Sequence, residues 1–172
     1  MKNIAKSLVI AAIAIVSANS SFAQASATAS ASATIVTPIS IAKVTDMNFG
    51  NVAVSATLAG TVILAPASTR TTGGAGGVTL PAVTGTVAAA SFTVSGQATY
   101  TYAISLPATK TLTSGGNNMT VDNFTSTPSA TGTLGAGGTQ TLTVGATLNV
   151  AAGQAAGTYT NAAGVPVTVN YN

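Results

Sequence analysis

Residues Ala98–Pro107 read ATYTYAISLP. Tyr100, Tyr102, Ile104 and Leu106 fall on one phase of a two-residue period, which puts four large side chains on one face of an extended strand. That face is predicted to sit in a core. The same period recurs on both sides. Upstream, Ala89–Gly96 carries Phe92 and Val94 in phase, Gly60–Ala65 reads as a strand closed by Pro66, and Ile39–Thr45 forms a first strand behind Pro38. Phe49 is a predicted core anchor beside a bend at Gly50-Asn51, and Val78–Val83 is a short strand candidate containing Pro81. Downstream, Met119–Phe124 and Gln140–Val150 are strands, the second with a predicted bulge at Gly145 between its two apolar pairs. Val165, Val167, Val169 and Tyr171 alternate in the last strand.

Turn chemistry separates these runs. Thr69–Gly77 (TRTTGGAGG) and Thr125–Gly138 read as loops, Thr113–Asn118 (TSGGNN) as a turn, and Ala151–Gly157 as a connector. Eight or so short strands without helical periodicity predict an all-β, antiparallel sandwich, with a closed barrel as the rival.

The N-terminus is of another kind. Lys2 and Lys6 precede the apolar run Leu8–Val16, which is too short to span a bilayer, and Ser21-Phe22-Ala23 has the small residues of a cleavage site. Residues 1–23 are therefore expected to be a secretory leader cut between Ala23 and Gln24; Ala23-Gln24-Ala25 offers a second site two residues on, and a retained N-terminal anchor is the other reading. No later stretch is predicted to cross a membrane as a helix.

Of the five cations in the chain, two leave with the leader. Lys43, Asp46, Arg70, Lys110 and Asp122 remain, too few and too scattered for a nucleic-acid surface. Cys and His are absent and the only carboxylates are the two Asp, so no metal, cofactor or catalytic residue is expected and the chain reads as no enzyme. Lys43 and Lys110 are the only amines that could activate a nucleophile, and solvated edge charge is the plainer reading of both. Phe92, Tyr100 and Tyr102 could form a sugar-binding platform, with core packing as the plainer alternative. So few charges suit a subunit that ends packed in an assembly.

Residues Gln24–Ile35 read QASATASASATI. Ala25, Ala27, Ala29, Ala31, Ala33 and Ile35 share one phase, and Ser or Thr fills the other. Alanine is a poor strand former with little surface to bury, so the segment alone should be a polar tail. Against a prepared apolar groove it becomes a good strand. It reads as a strand made for another molecule.

The C-terminal run, with Gly157-Thr158-Tyr159 upstream and a penultimate Tyr171, resembles the signature of chaperone–usher pilins. More closely, the chain is similar to a secreted bacterial family catalogued as domain of unknown function 4402, itself akin to archaic (Mat/Ecp and spore-coat-U-like) fimbrial subunits. The matching pieces are the Ala/Ser/Thr tail, Pro38-Ile39-Ser40-Ile41, Met47-Asn48-Phe49-Gly50, Gly60-Thr61-Val62, Met119-Thr120-Val121, Val144–Leu148, Ala156–Tyr159 and Val167–Asn172. Asn161–Pro166 (NAAGVP) departs from the pilin pattern and places Gly157 about two residues further from the C-terminus than that pattern has it.

The resemblance implies an exported fimbrial subunit, carried through the periplasm to the cell surface, whose immunoglobulin-like sandwich lacks one strand. A periplasmic chaperone fills the gap first; at an outer-membrane usher the tail of the next subunit replaces it, giving a homopolymer. The organisation implied is a leader at 1–23, a donor extension at 24–36 and a pilin-like domain at 37–172, with Ala25–Ile35 as donor and Val165, Val167, Val169 and Tyr171 as acceptor edge and chaperone-binding strand. A secreted adhesin or carbohydrate-binding module on the same sandwich is the alternative.

Overall fold

A computed structural model describes residues 24–172. The segment 1–23, expected to be a leader ending at Ala23, lies outside the described residues. The chain divides into two units at Ile35/Val36. In the first, Gln24–Ile35 forms no strand and every residue is exposed, Ile35 at 96%.

The second unit is an antiparallel β-sandwich without a helix among the described residues. In chain order its strands are β1 (Ser40–Thr45), β2 (Asn48–Phe49), β3 (Ala53–Val54), β4 (Gly60–Leu64), β5 (Arg70–Gly73), β6 (Val78–Thr79) and β7 (Val87–Ala88). There follow β8 (Ala90–Ser95), β9 (Thr101–Ser105), β10 (Thr109–Ser114), β11 (Asn117–Thr127), β12 (Thr131–Thr133), β13 (Thr139–Val150) and β14 (Thr168–Tyr171). The large sheet runs β1-β8-β13-β11-β10, and the small sheet runs β12-β9-β14. Two short ladders, β2·β7 and β3·β6, complete the pairing.

The large sheet is organised by β13. Its inward phase, Leu142, Val144, Ala146, Leu148 and Val150, is buried throughout. On one edge it pairs with β11; on the other, Thr139–Val144 pairs with β8 and Ala146–Val150 with β4. The changeover falls at Gly145. A Cβ there would lie 2.1 Å from the carbonyl oxygen of Leu64 and 2.8 Å from Pro66 N, so only glycine lets the end of β4 cross so close. The predicted bulge is displaced by one strand: β13 is continuous, and the extra residue sits opposite it in β11 between Asp122 and Thr125, where Asn123 has φ +47°.

The interior forms two clusters. Phe92, Val94, Tyr102, Leu134, Leu142, Val144 and Val169 pack between the two sheets. Val62, Leu64, Met119, Val121, Ala146, Leu148 and Val150 pack under Phe49 and Val78, which the short ladders supply.

Four local readings of the sequence change. Thr125–Gly138, expected as a loop, holds the end of β11 and all of β12, which pairs with β9. Arg70–Gly73, expected in a loop, is a strand paired with β4. Thr109–Ser114 is an edge strand, because the turn before Met119 shrinks to Gly115-Gly116 with both φ positive. Tyr100 lies before β9 and is 44% exposed, while Tyr102 is fully buried.

Candidate functional site

Among the described residues, both sheets end in a strand with one unpaired edge: β1 pairs only with β8, and β14 only with β9. The two edges meet at one end. There the Tyr171 hydroxyl donates to the carbonyl of Thr37 at 2.7 Å and accepts the Gln97 N–H at 2.5 Å. Ile39 and Ile41 share a core cluster with Val167 and Tyr171. Towards the other end the body opens into a groove of about 1300 Å³.

One side of the groove is the second half of β1 with Met47, Phe49 and Val52, and the other is Gln154–Val165. Its floor is apolar: Ala90, Phe92, Leu112, Met119, Val121 and Leu148. The C-terminal segment cannot close it. Thr113 and Thr160 exchange backbone hydrogen bonds of 2.9 and 3.1 Å, and Asn161 Nδ2 donates to the Thr111 carbonyl at 2.9 Å, so this part belongs to the β10 edge of the large sheet. The chain then turns at Asn161–Gly164, with φ +68° at Gly164, and joins the small sheet only at Thr168.

The expected last strand is thus shorter than its alternation. Pro166 has no N–H for a ladder, and Val165 and Val167 precede the strand. Val165 lines the groove, Val167 packs on the inter-sheet cluster, Val169 is buried, and Tyr171 is half-buried against Tyr100 with ring centroids 5.7 Å apart. The departure noted at Asn161–Pro166 splits the C-terminal segment between two sheets.

Three charged residues also line the groove. Lys43 lies opposite Phe92 on the inward phase of β1 and pairs with Asp46 at 2.7 Å, both exposed. Lys110 occupies the inward phase of β10 with Leu112. Inward charges on edge strands oppose uncontrolled pairing. Arg70 is committed elsewhere: its guanidinium donates to the carbonyls of Phe49 (2.5 Å), Asn51 (2.7 Å) and Thr84 (3.3 Å). It fixes the Phe49 lip of the groove and is a structural cation. Burial of Phe92 and Tyr102 leaves Tyr100 alone exposed from the aromatic set. Among the described residues, no three His, Cys, Asp or Glu gather as a metal site.

The family described as "Domain of unknown function (DUF4402)" matches residues 39–171. The chain belongs to that family. The DUF4402 match takes in the whole sandwich, from the residue before β1 to the end of β14, and leaves the alternating arm outside. No curated protein and no solved structure matches the chain. No helix among the described residues is long and apolar enough to cross a membrane.

Proposed function

We propose that this DUF4402 protein is a structural fimbrial subunit, exported through the periplasm and polymerised at the cell surface by donation of the arm Ala25–Ile35 into the groove of a neighbouring copy. The observation that carries this reading is the groove itself: an apolar floor left open between the edge of β1, which pairs with β8 alone among the described residues, and the segment Gln154–Val165, in a chain whose arm alternates Ala with Ser or Thr. An unpaired edge beside apolar floor invites strand addition. The arm can form on the order of ten ladder hydrogen bonds, each worth roughly 0.5–1.5 kcal/mol net. Its methyl groups add about 25 cal/mol per Å² of apolar surface they bury. Backbone pairing therefore supplies affinity, and small side chains supply fit to a shallow floor.

The reading extends to an archaic chaperone–usher route, in which a periplasmic chaperone strand protects the groove before an outer-membrane usher exchanges it for the arm. Ala29→Asp or Ala31→Asp, each placing a carboxylate on the floor, should abolish fibres seen by electron microscopy on expressing cells while leaving the chaperone-bound subunit intact. Wild-type numbers of fibres from both variants would refute the donor assignment.

A further inference from the structure

A tethered arm has two grooves to choose from, its own and a neighbour's. Its own has the advantage: a short flexible tether gives an effective concentration in the millimolar range. Against neighbours at micromolar concentration, self-insertion would win by roughly a thousandfold. A chain that polymerises by its arm therefore needs something to forbid the intramolecular route.

Resting on the reading above, we infer that the joint Val36–Ile39 is that device, a clamp that reserves the arm for a second copy. Self-insertion along the open edge of β1 requires the chain to reverse within these residues. Two-residue hairpin loops exist, so length alone does not prevent it. Three features of the joint do. Thr37 N–H donates to Gln97 Oε1 at 3.3 Å. The Thr37 carbonyl accepts the Tyr171 hydroxyl at 2.7 Å, tying the joint to the end of β14. Pro38 then holds Thr37 extended, lacks an N–H, and has a fixed φ. A two-residue hairpin turn centred on Thr37-Pro38 would break both hydrogen bonds, and the primed turn that such a hairpin favours asks for positive φ at residues where Pro38 is held at about −65° and β-branched Thr37 is disfavoured. The clamp also sits at the end where β1 and β14 meet, whereas the groove opens beside Lys43–Val52.

The chain has no cysteine, so an introduced pair reports cleanly. Val165→Cys in the groove is combined, in separate proteins, with Ala27→Cys, Ala29→Cys or Ala31→Cys in the arm. Equal amounts of unlabelled and ¹⁵N-labelled mature chain are refolded together and oxidised, and the disulfide-linked peptides are weighed. With the native joint, about half of the linked pairs should carry mixed labels, as random pairing of two copies requires. In the loosened joint Pro38→Gly/Gln97→Ala, and independently in Thr37→Gly, mixed pairs should fall at least tenfold in favour of same-label pairs, with monomers replacing assemblies in sedimentation. Same-label pairs with the native joint, or mixed pairs unchanged in both loosened joints, would overturn the clamp while leaving the groove reading standing. No disulfide at any of the three arm positions would overturn the groove reading, and the clamp with it.

Discussion

The hydroxyl of Tyr102 donates to Gln140 Oε1 at 2.8 Å, joining the central strand of the small sheet to the central strand of the large one across the sandwich. The ring fits because Gly132, paired with Tyr102 in the neighbouring strand, has no side chain: a Cβ there would lie 2.3 Å from Cζ of the ring. Tyr102→Phe keeps the packing and removes the donor, leaving a half-buried amide oxygen without it. The expected cost is about 1–3 kcal/mol. For a domain of this size each kcal/mol lowers Tm by about 2–4 °C. Calorimetry on the variant that shows no change would mean Gln140 finds an equal partner elsewhere.

The same phenol should make the fold sensitive to alkali. Burial raises the Tyr102 pKa above its ordinary value near 10. In the unfolded chain the phenol ionises at that ordinary value; in the fold it holds its proton longer. Its contribution is complete below the unfolded pKa and is lost as pH rises through the folded one. Chemical denaturation from pH 8 upward should show stability declining above about pH 10, more steeply in the wild type than in Tyr102→Phe. Parallel curves would exclude Tyr102 as the source.

Arg70 makes a prediction about the groove lip. Three carbonyls on two segments share one guanidinium, and its planar fork matches their spread. Hydrogen bonds to a charged group are worth about 1.5–3 kcal/mol together with the desolvation they prevent. Arg70→Ala should lose about that much, and Arg70→Lys should recover less than half of it, since one ammonium cannot reach all three. Hydrogen exchange should accelerate first at Phe49–Val52. Full recovery by Lys would show that charge alone, without the fork, holds the lip.

How much of this was legible beforehand follows from which interactions are local. Alternation at Phe92/Val94, Tyr102/Ile104 and Leu142/Val144 identifies strands because period two is a property of the strand itself. β5 and β10 were hidden for the same reason: RTTG and TKTLTS owe their strand state to partners β4 and β11, and Thr and Gly carry a weak signal of their own. Tyr100 keeps the phase of Tyr102 yet is exposed, because the strand begins one residue later. The Ala/Ser arm and the apolar C-terminal residues could be read as candidates. The position of the groove could not, since it depends on where the chain between Thr160 and Thr168 crosses from one sheet to the other.

Gly145 sets the geometry of that large sheet. Gly145→Ala would drive a Cβ into backbone atoms of Leu64–Pro66, which cannot rotate aside. Overpacking of this sort costs about 1–3 kcal/mol, and the β4 half of β13 should loosen before the β8 half. Gly137→Ala, where no heavy atom lies within 4 Å of the new Cβ, serves as the control and should stay within about 0.5 kcal/mol of wild type. Equal urea midpoints for the two variants would show that β4 can shift freely at the changeover.

The arm offers the sharpest test of period two. If Ala25–Ile35 adds as a strand, Ala29 and Ala31 face the floor while Ser30 and Ser32 face out. Ser30→Asp should then assemble nearly as well as wild type, while Ala29→Asp, one residue away with the same added charge, should fail. The contrast separates a strand from a sticky tail, because a tail acting through bulk polarity would respond alike to both. Quantified by electron microscopy and by sedimentation of sheared material, a ratio of assembled protein near one between the two variants would dismiss strand donation by this segment. A loss at Ser30 with retention at Ala29 would keep the strand and reverse its phase, putting Ser26, Ser30 and Ser32 on the floor instead of the alanines.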